Sequence, residues 1–130
     1  MKSFKQFIHE EQFQAPGFSI ARISMPQIKI ISHFENYVHH LGIKTSYKQY
    51  YAPNLRPTQI DFDQTKVDRI IADQKIDSKP IIVSSDGYIL DGHHRYQAAV
   101  QTMSDISVLE IDLPINKLLK LSIDYVELYG

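Results

Sequence analysis

"KPIIVSSDGYILDGHHRYQAAV", Lys79 to Val100, changes its periodicity halfway along. Its first part, "KPIIVSSDGYIL", is two short apolar runs around Ser85-Asp86-Gly87, the pattern of two strands joined by a turn. Its second part opens a helix from Gly92 to about Thr102, with Tyr96, Ala99 and Val100 available for packing. A strand that hands over to a helix within a few residues predicts an α+β fold, a small mixed sheet flanked by helices.

The flanking chain supports that class. Upstream, "SHFENYVHHLG" places Ser32 as N-cap with Glu35 three residues on. Phe34, Val38 and Leu41 share a face there, and Gly42 is a stop. "KTSYKQYYAPNLRPTQI" is rich in tyrosine and carries two prolines, so it reads as extended or irregular chain with a short strand around Tyr47 to Tyr51. "DFDQTKVDRIIADQ" offers Asp63 as N-cap and Val67, Ile70 and Ile71 as a buried face. Downstream, "ISVLEID" is a strand and "PINKLLKLSIDYVELYG" a helix with Pro114 near its start. At the other end, "QAPG" (Gln14 to Gly17) breaks a short amphipathic pattern that carries Phe4, Phe7 and Ile8. Residues 1–15 are therefore read as an appendage and residues 16–130 as the domain.

Composition narrows the chemistry. The 130 residues are 43% hydrophobic and 22% charged, as in an ordinary globular domain able to bury a core. Fourteen basic and fifteen acidic residues give a net charge of -1, unlike proteins that hold duplex DNA mainly by neutralising phosphates. The chain has no cysteine, which excludes disulfides, thiolate nucleophiles and cysteine-based zinc sites. No apolar run reaches the roughly 20 residues that span a bilayer, so a soluble protein without membrane partners is expected.

Asp91-Gly92-His93-His94-Arg95 concentrates the reactive groups. The first turn of a helix leaves amide N–H groups unpaired, with positive partial charge behind them. Gly92 permits close approach, and two imidazoles and a guanidinium add donors in the same turn. Together they favour an anion, phosphate above all. Asp91 can cap the helix, orient a histidine or help hold a divalent ion bound to phosphates. Two other readings stand beside this one. Adjacent helical residues point about 100° apart, which disfavours joint metal ligation by His93 and His94. In the plainest reading, Asp91 is an ordinary N-cap and the histidines are incidental.

The same stretch resembles the core signature of the ParB/sulfiredoxin superfamily, "P-I-x-V … I-x-D-G-x-x-R … A". "LRPTQIDFDQTKVDRII" resembles the segment that precedes that core, and "RISMPQI" (Arg22 to Ile28) an element of phage-borne relatives. The resemblance spans residues 20–112. Members include ATP-dependent sulfinic-acid reductases, partition proteins that hydrolyse CTP, free-serine kinases using ADP or ATP, and ParB-like nucleases. Sulfiredoxins carry cysteine where this chain has His93, which excludes thiol-based sulfinate repair. Partition proteins carry a G-E-R-R variant and a further DNA-binding domain, for which the thirty residues after Val100 leave no room. The D-G-H-H-R form looks most like the small-molecule kinase branch and phage proteins.

Residue by residue, the resemblance implies that Gly92, His93, His94 and Arg95 bind nucleotide phosphates (ATP, ADP or CTP), with Asp91 supporting the turn or a Mg2+ ion. The expected chemistry is phosphoryl transfer or nucleotide hydrolysis, in which positioning and charge neutralisation do most of the work. Asp91, His93, His94 and Arg95 are its candidate catalytic residues. Arg22, Gln27, Arg56 and Gln59, beside rigid prolines, are candidates to line the substrate pocket. Glu35, Asp61 and Asp63 are candidate bases, though they read more readily as a capping-box glutamate and helix-start acids. The alternatives are a ParB-like nuclease that acts on DNA and a non-catalytic virion or interaction module, so enzyme and binding protein both stay open.

Two further features bear on partners. "MKSFKQFIHE" is similar to the capsid-targeting leader of large tailed phages, with Ile8-His9-Glu10 at the cleavage position. This implies a capsid partner through residues 1–11 and a place in the virion interior, the host cytoplasm or both. The competing reading is a short amphipathic tail that docks on the domain or a partner. His39-His40 read as a solvated helix end, and Tyr47, Tyr50 and Tyr51 as packing residues rather than base-stacking ones.

Overall fold

The computed structural model describes Ile20, residues 25–59 and residues 61–130. The leader-like segment and Arg22 lie outside the described residues. In chain order the elements are helix α1 (Ile31–His40), strand β1 (Thr45–Tyr51), a 3-10 turn (Ala52–Asn54) and helix α2 (Gln64–Ala72). Strands β2 (Ile81–Ser84) and β3 (Ile89–Asp91) come next, then helix α3 (His93–Gln101), strand β4 (Asp105–Ile111) and helix α4 (Ile115–Tyr129). The class is α+β, with a four-stranded mixed sheet in the order β1-β4-β2-β3. β4 runs antiparallel to β1 and parallel to β2, while β2 and β3 form an antiparallel hairpin.

Strand periodicity divides the core in two. In β4, Ile106 and Val108 face one side and Leu109 and Ile111 the other, as side chains alternate along a strand. The second pair packs with Phe34 and Val38 of α1 and Leu118, Leu119 and Ile123 of α4. The first pair packs with Ile81, Val83 and Ile89 and with Tyr96 and Ala99 of α3, against which α2 lies in turn. The central strand β2 is buried along its whole length, as a strand covered on both faces must be.

The turn between β2 and β3 is anchored rather than free. Gly87 adopts φ +84°, which the reversal requires. Asp86 hydrogen-bonds the Ser84 hydroxyl and accepts the Ile115 N–H at 3.0 Å, so it caps α4 from a distance. Pro114 is the N-cap residue of that helix.

Two local expectations differ from the structure. The Ser32/Glu35 capping box does not form: α1 begins two residues earlier than it implies, at Ile31, with Ile30 as N-cap and no side-chain cap. Glu35 instead accepts from the Thr45 hydroxyl at 3.1 Å and the Tyr47 hydroxyl at 2.8 Å, fastening α1 to β1. Leu41, expected on the buried face, is the C-cap and is exposed. Asp63 does cap α2, accepting the Thr65 N–H at 2.9 Å, and Gly42 ends α1 at φ +79°. The expected strand around Tyr47 to Tyr51 is β1, but of its three tyrosines only Tyr50 packs on the core, where it pairs with Glu110; Tyr47 and Tyr51 are exposed, with the Tyr51 hydroxyl 3.8 Å from the Met103 sulfur.

Candidate functional site

β3 ends at Asp91 and α3 begins at His93, with one residue between them. Gly92 makes the transition as the N-cap of α3, at φ +95° and ψ 31°. A side chain there would press on Ile81 Cγ2 and stand 2.9 Å from Arg95 Nη2, so conformation and space both require glycine. The chain can thereby turn from strand to helix with its first-turn amides beside a cavity of about 270 Å³.

That cavity gathers most of the residues singled out from the sequence. Asp91, Gly92, His93, His94 and Arg95 form one wall. Gln27 and Gln59 stand on others. Arg56 does not join them: it is exposed on the outer side of β3, its guanidinium 5.8 Å from the Tyr88 ring centroid. Glu35, on α1, is also absent from the lining. Asp63 is occupied as the cap of α2, and the Asp61 carbonyl accepts from Gln59 Nε2.

Six lining residues were not expected, among them the apolar Ile28 and Leu90. Lys66 and Ile70 come from α2, one helical turn apart and hence on the same face. Lys79 comes from the loop before β2, and Met25 from the segment before α1. Nothing in the local pattern separates Lys66 or Lys79 from ordinary surface lysines; only the fold brings them to Arg95.

The two histidines serve a purpose their spacing alone does not reveal. His93 Nε2 lies 3.3 Å from both the Thr58 and Gln59 backbone N–H groups, which donate to it. The Thr58 hydroxyl is 3.2 Å away but gives its own hydrogen to the Ile89 carbonyl at 2.7 Å. Nε2 is therefore the unprotonated nitrogen, and the proton sits on Nδ1. His94 Nε2 accepts the Asp63 N–H at 3.0 Å in the same way. Pointing apart as neighbours on a helix do, the two rings clasp segment 58–63 to the start of α3. Just before that segment Arg56 bridges to Tyr88 at the start of β3, and Ile20 pairs beside Gln59.

Burial sets the electrostatics. Burial, with His94 alongside, holds His93 down at about 3, so its ring is neutral. Burial raises the Asp91 carboxyl above the usual range, against the pull of Arg95, Lys79 and a hydrogen bond from the Ile28 backbone. Burial also lowers the Arg95 pKa, opposed by Asp91. Arg95 Nη2 donates to the Pro80 carbonyl at 3.3 Å, while its buried Nε has no acceptor among the described residues. The lining thus sets Arg95, Lys66 and Lys79 against the carboxyl of Asp91. Such a balance attracts an anion.

No helix among the described residues is long and apolar enough to cross a membrane. Neither a family model, a curated protein nor a solved structure matches this chain.

Proposed function

We propose that this chain binds the phosphates of a nucleotide at the strand-to-helix turn Asp91–Arg95, as a ParB/sulfiredoxin-like domain would, and acts in phosphoryl transfer or nucleotide hydrolysis. One observation carries the reading. A cavity of about 270 Å³ at the start of α3 is lined by Arg95, Lys66 and Lys79 from three different parts of the chain. Phosphate binding uses an Arg fork, lysine charges and the first-turn amides of a helix together.

The donor set also fits magnesium, in a specific manner. Mg2+ is commonly held by one or two carboxylates with substrate phosphates completing its shell. Asp91 supplies one carboxylate at the cavity wall. Among the described residues no group of three His, Asp or Glu side chains could hold an ion alone. Magnesium held by Asp91 would take the rest of its shell from the phosphates and water, and would supply charge neutralisation there. His93 and His94 position the wall: each gives its Nε2 lone pair to a backbone amide and holds the Gln59 side of the cavity against the helix.

Calorimetric titration tests this with ATP, ADP, CTP and a short DNA, each with and without magnesium. The variants are Arg95→Ala and the double substitution Lys66→Ala/Lys79→Ala, whose exposed lysines leave the core intact. Nucleotide binding that weakens about tenfold or more in both variants is expected, since each removes charge from the phosphate site. DNA binding without mononucleotide affinity would instead favour a ParB-like nuclease. Absence of binding to every ligand would overturn the reading and leave a non-catalytic interaction module.

A further inference from the structure

We infer that the cavity reads the phosphate chain of its ligand and not the base, so that it is a polyphosphate site with little choice among nucleotides. The inference rests on the phosphate-binding reading above and specifies its substrate class. Three observations support it.

Size is the first. Sites that enclose a drug-sized ligand run to roughly 300–1,000 Å³. A cavity of about 270 Å³ is at the small end of that range, with room for a phosphate chain rather than a whole nucleoside triphosphate, so a nucleotide that places its phosphates inside leaves its base at the mouth. Charge is the second. Arg95, Lys66 and Lys79 supply three cations around one small volume against the single carboxyl of Asp91, and a magnesium ion arriving with the ligand would engage that carboxyl and add two further charges, a balance suited to a di- or triphosphate.

The third is the state of the groups that would read a base. Base recognition uses aromatic stacking and amide hydrogen bonds to the base edge. None of the described lining residues is Phe, Tyr or Trp. The lining amides are turned to the protein's own backbone: Gln27 Nε2 to the Met25 carbonyl at 3.3 Å, and Gln59 Nε2 to the Asp61 carbonyl. His93 and His94 commit Nε2 to backbone amides. Among the described lining residues, what remains is chiefly charge beside the apolar Met25, Ile28, Ile70 and Leu90, and neither distinguishes adenine from cytosine by hydrogen bonds to the base edge.

Titration of the full chain with ATP, GTP, CTP, UTP, tripolyphosphate and AMP at fixed free magnesium decides the matter. The four nucleoside triphosphates are expected to bind within about threefold of one another, with tripolyphosphate within about tenfold of them. AMP is expected at least about tenfold weaker than ATP, having lost two of the charged groups. A single triphosphate favoured about tenfold over the rest and over tripolyphosphate would overturn base-blindness while leaving the phosphate site standing. AMP binding as tightly as ATP would overturn the preference for a chain of phosphates. If no phosphate compound binds, both this inference and the reading it rests on fall.

Discussion

His93 ties the acid sensitivity of the protein to the geometry of its site. In the unfolded chain its imidazole takes up a proton near pH 6.5; in the folded chain burial holds that off until about pH 3. Between those values the unfolded state binds more protons, so stability falls as pH drops, by up to about 1.4 kcal/mol per pH unit from this one group. His93→Gln keeps an acceptor that can face the Thr58 and Gln59 amides and has nothing to titrate. Urea midpoints measured from pH 7 to pH 4 are expected to fall less steeply in that variant than in the wild type. Equal slopes would show that His93 is not protected as described. One residue earlier, Gly92→Ala meets both a left-handed backbone and the Ile81 side chain. It is expected to cost about 2–5 kcal/mol of unfolding free energy in a denaturant titration, the sum of a left-handed penalty and overpacking. A loss below about 1 kcal/mol would mean that the turn relaxes into another geometry.

At the scale of elements, two carboxylates hold helix starts in different ways, and only one is visible in the local sequence. Asp63 precedes "QTKVDRII" directly and caps α2 as its spacing suggests. Asp86 caps α4 from 29 positions away, across a turn whose Gly87 marks only the reversal. Either residue changed to alanine is expected to cost about 1 kcal/mol, the usual worth of a cap. Hydrogen exchange separates the two, with faster exchange confined to the start of α2 for Asp63→Ala and to the start of α4 and the turn for Asp86→Ala. Exchange that rises evenly through the molecule in both would contradict local capping. The Ser32/Glu35 signature fails for the converse reason. Glu35 lies beside β1, where Thr45 and Tyr47 offer hydroxyl donors, and long-range bonds take the side chain that local pattern assigns to the helix start.

For the whole molecule, legibility follows sequence distance. The β2–β3–α3 unit is written in one run of 22 residues, and its alternation, turn glycine and helix period agree, so class and core emerge from the pattern. The wall Asp91–Arg95 belongs to the same run and is legible with it. The rest of the lining is not: Lys66 is unremarkable until α2 packs on α3, Lys79 opens the run but nothing in its pattern sets it beside Arg95, and the histidine clasp needs amides more than thirty positions upstream. This division of the site between a local and a distant wall has a thermodynamic consequence. A polyphosphate that joins Arg95 to Lys66 and Lys79 adds a link between α3, α2 and the loop before β2, present only in the folded state. At a hundred times its dissociation constant it would stabilise the fold by about 2.7 kcal/mol. For a chain of this size that is a rise in Tm on the order of 10 °C in a thermal melt with tripolyphosphate. Because the net charge is only -1, the attraction comes from the local cluster and not from the molecule at large. The shift is therefore expected to shrink as salt screens the exposed lysines, and to fall sharply in Lys66→Ala/Lys79→Ala. A shift that is insensitive to salt and unchanged in the double variant would place the ligand elsewhere on the surface.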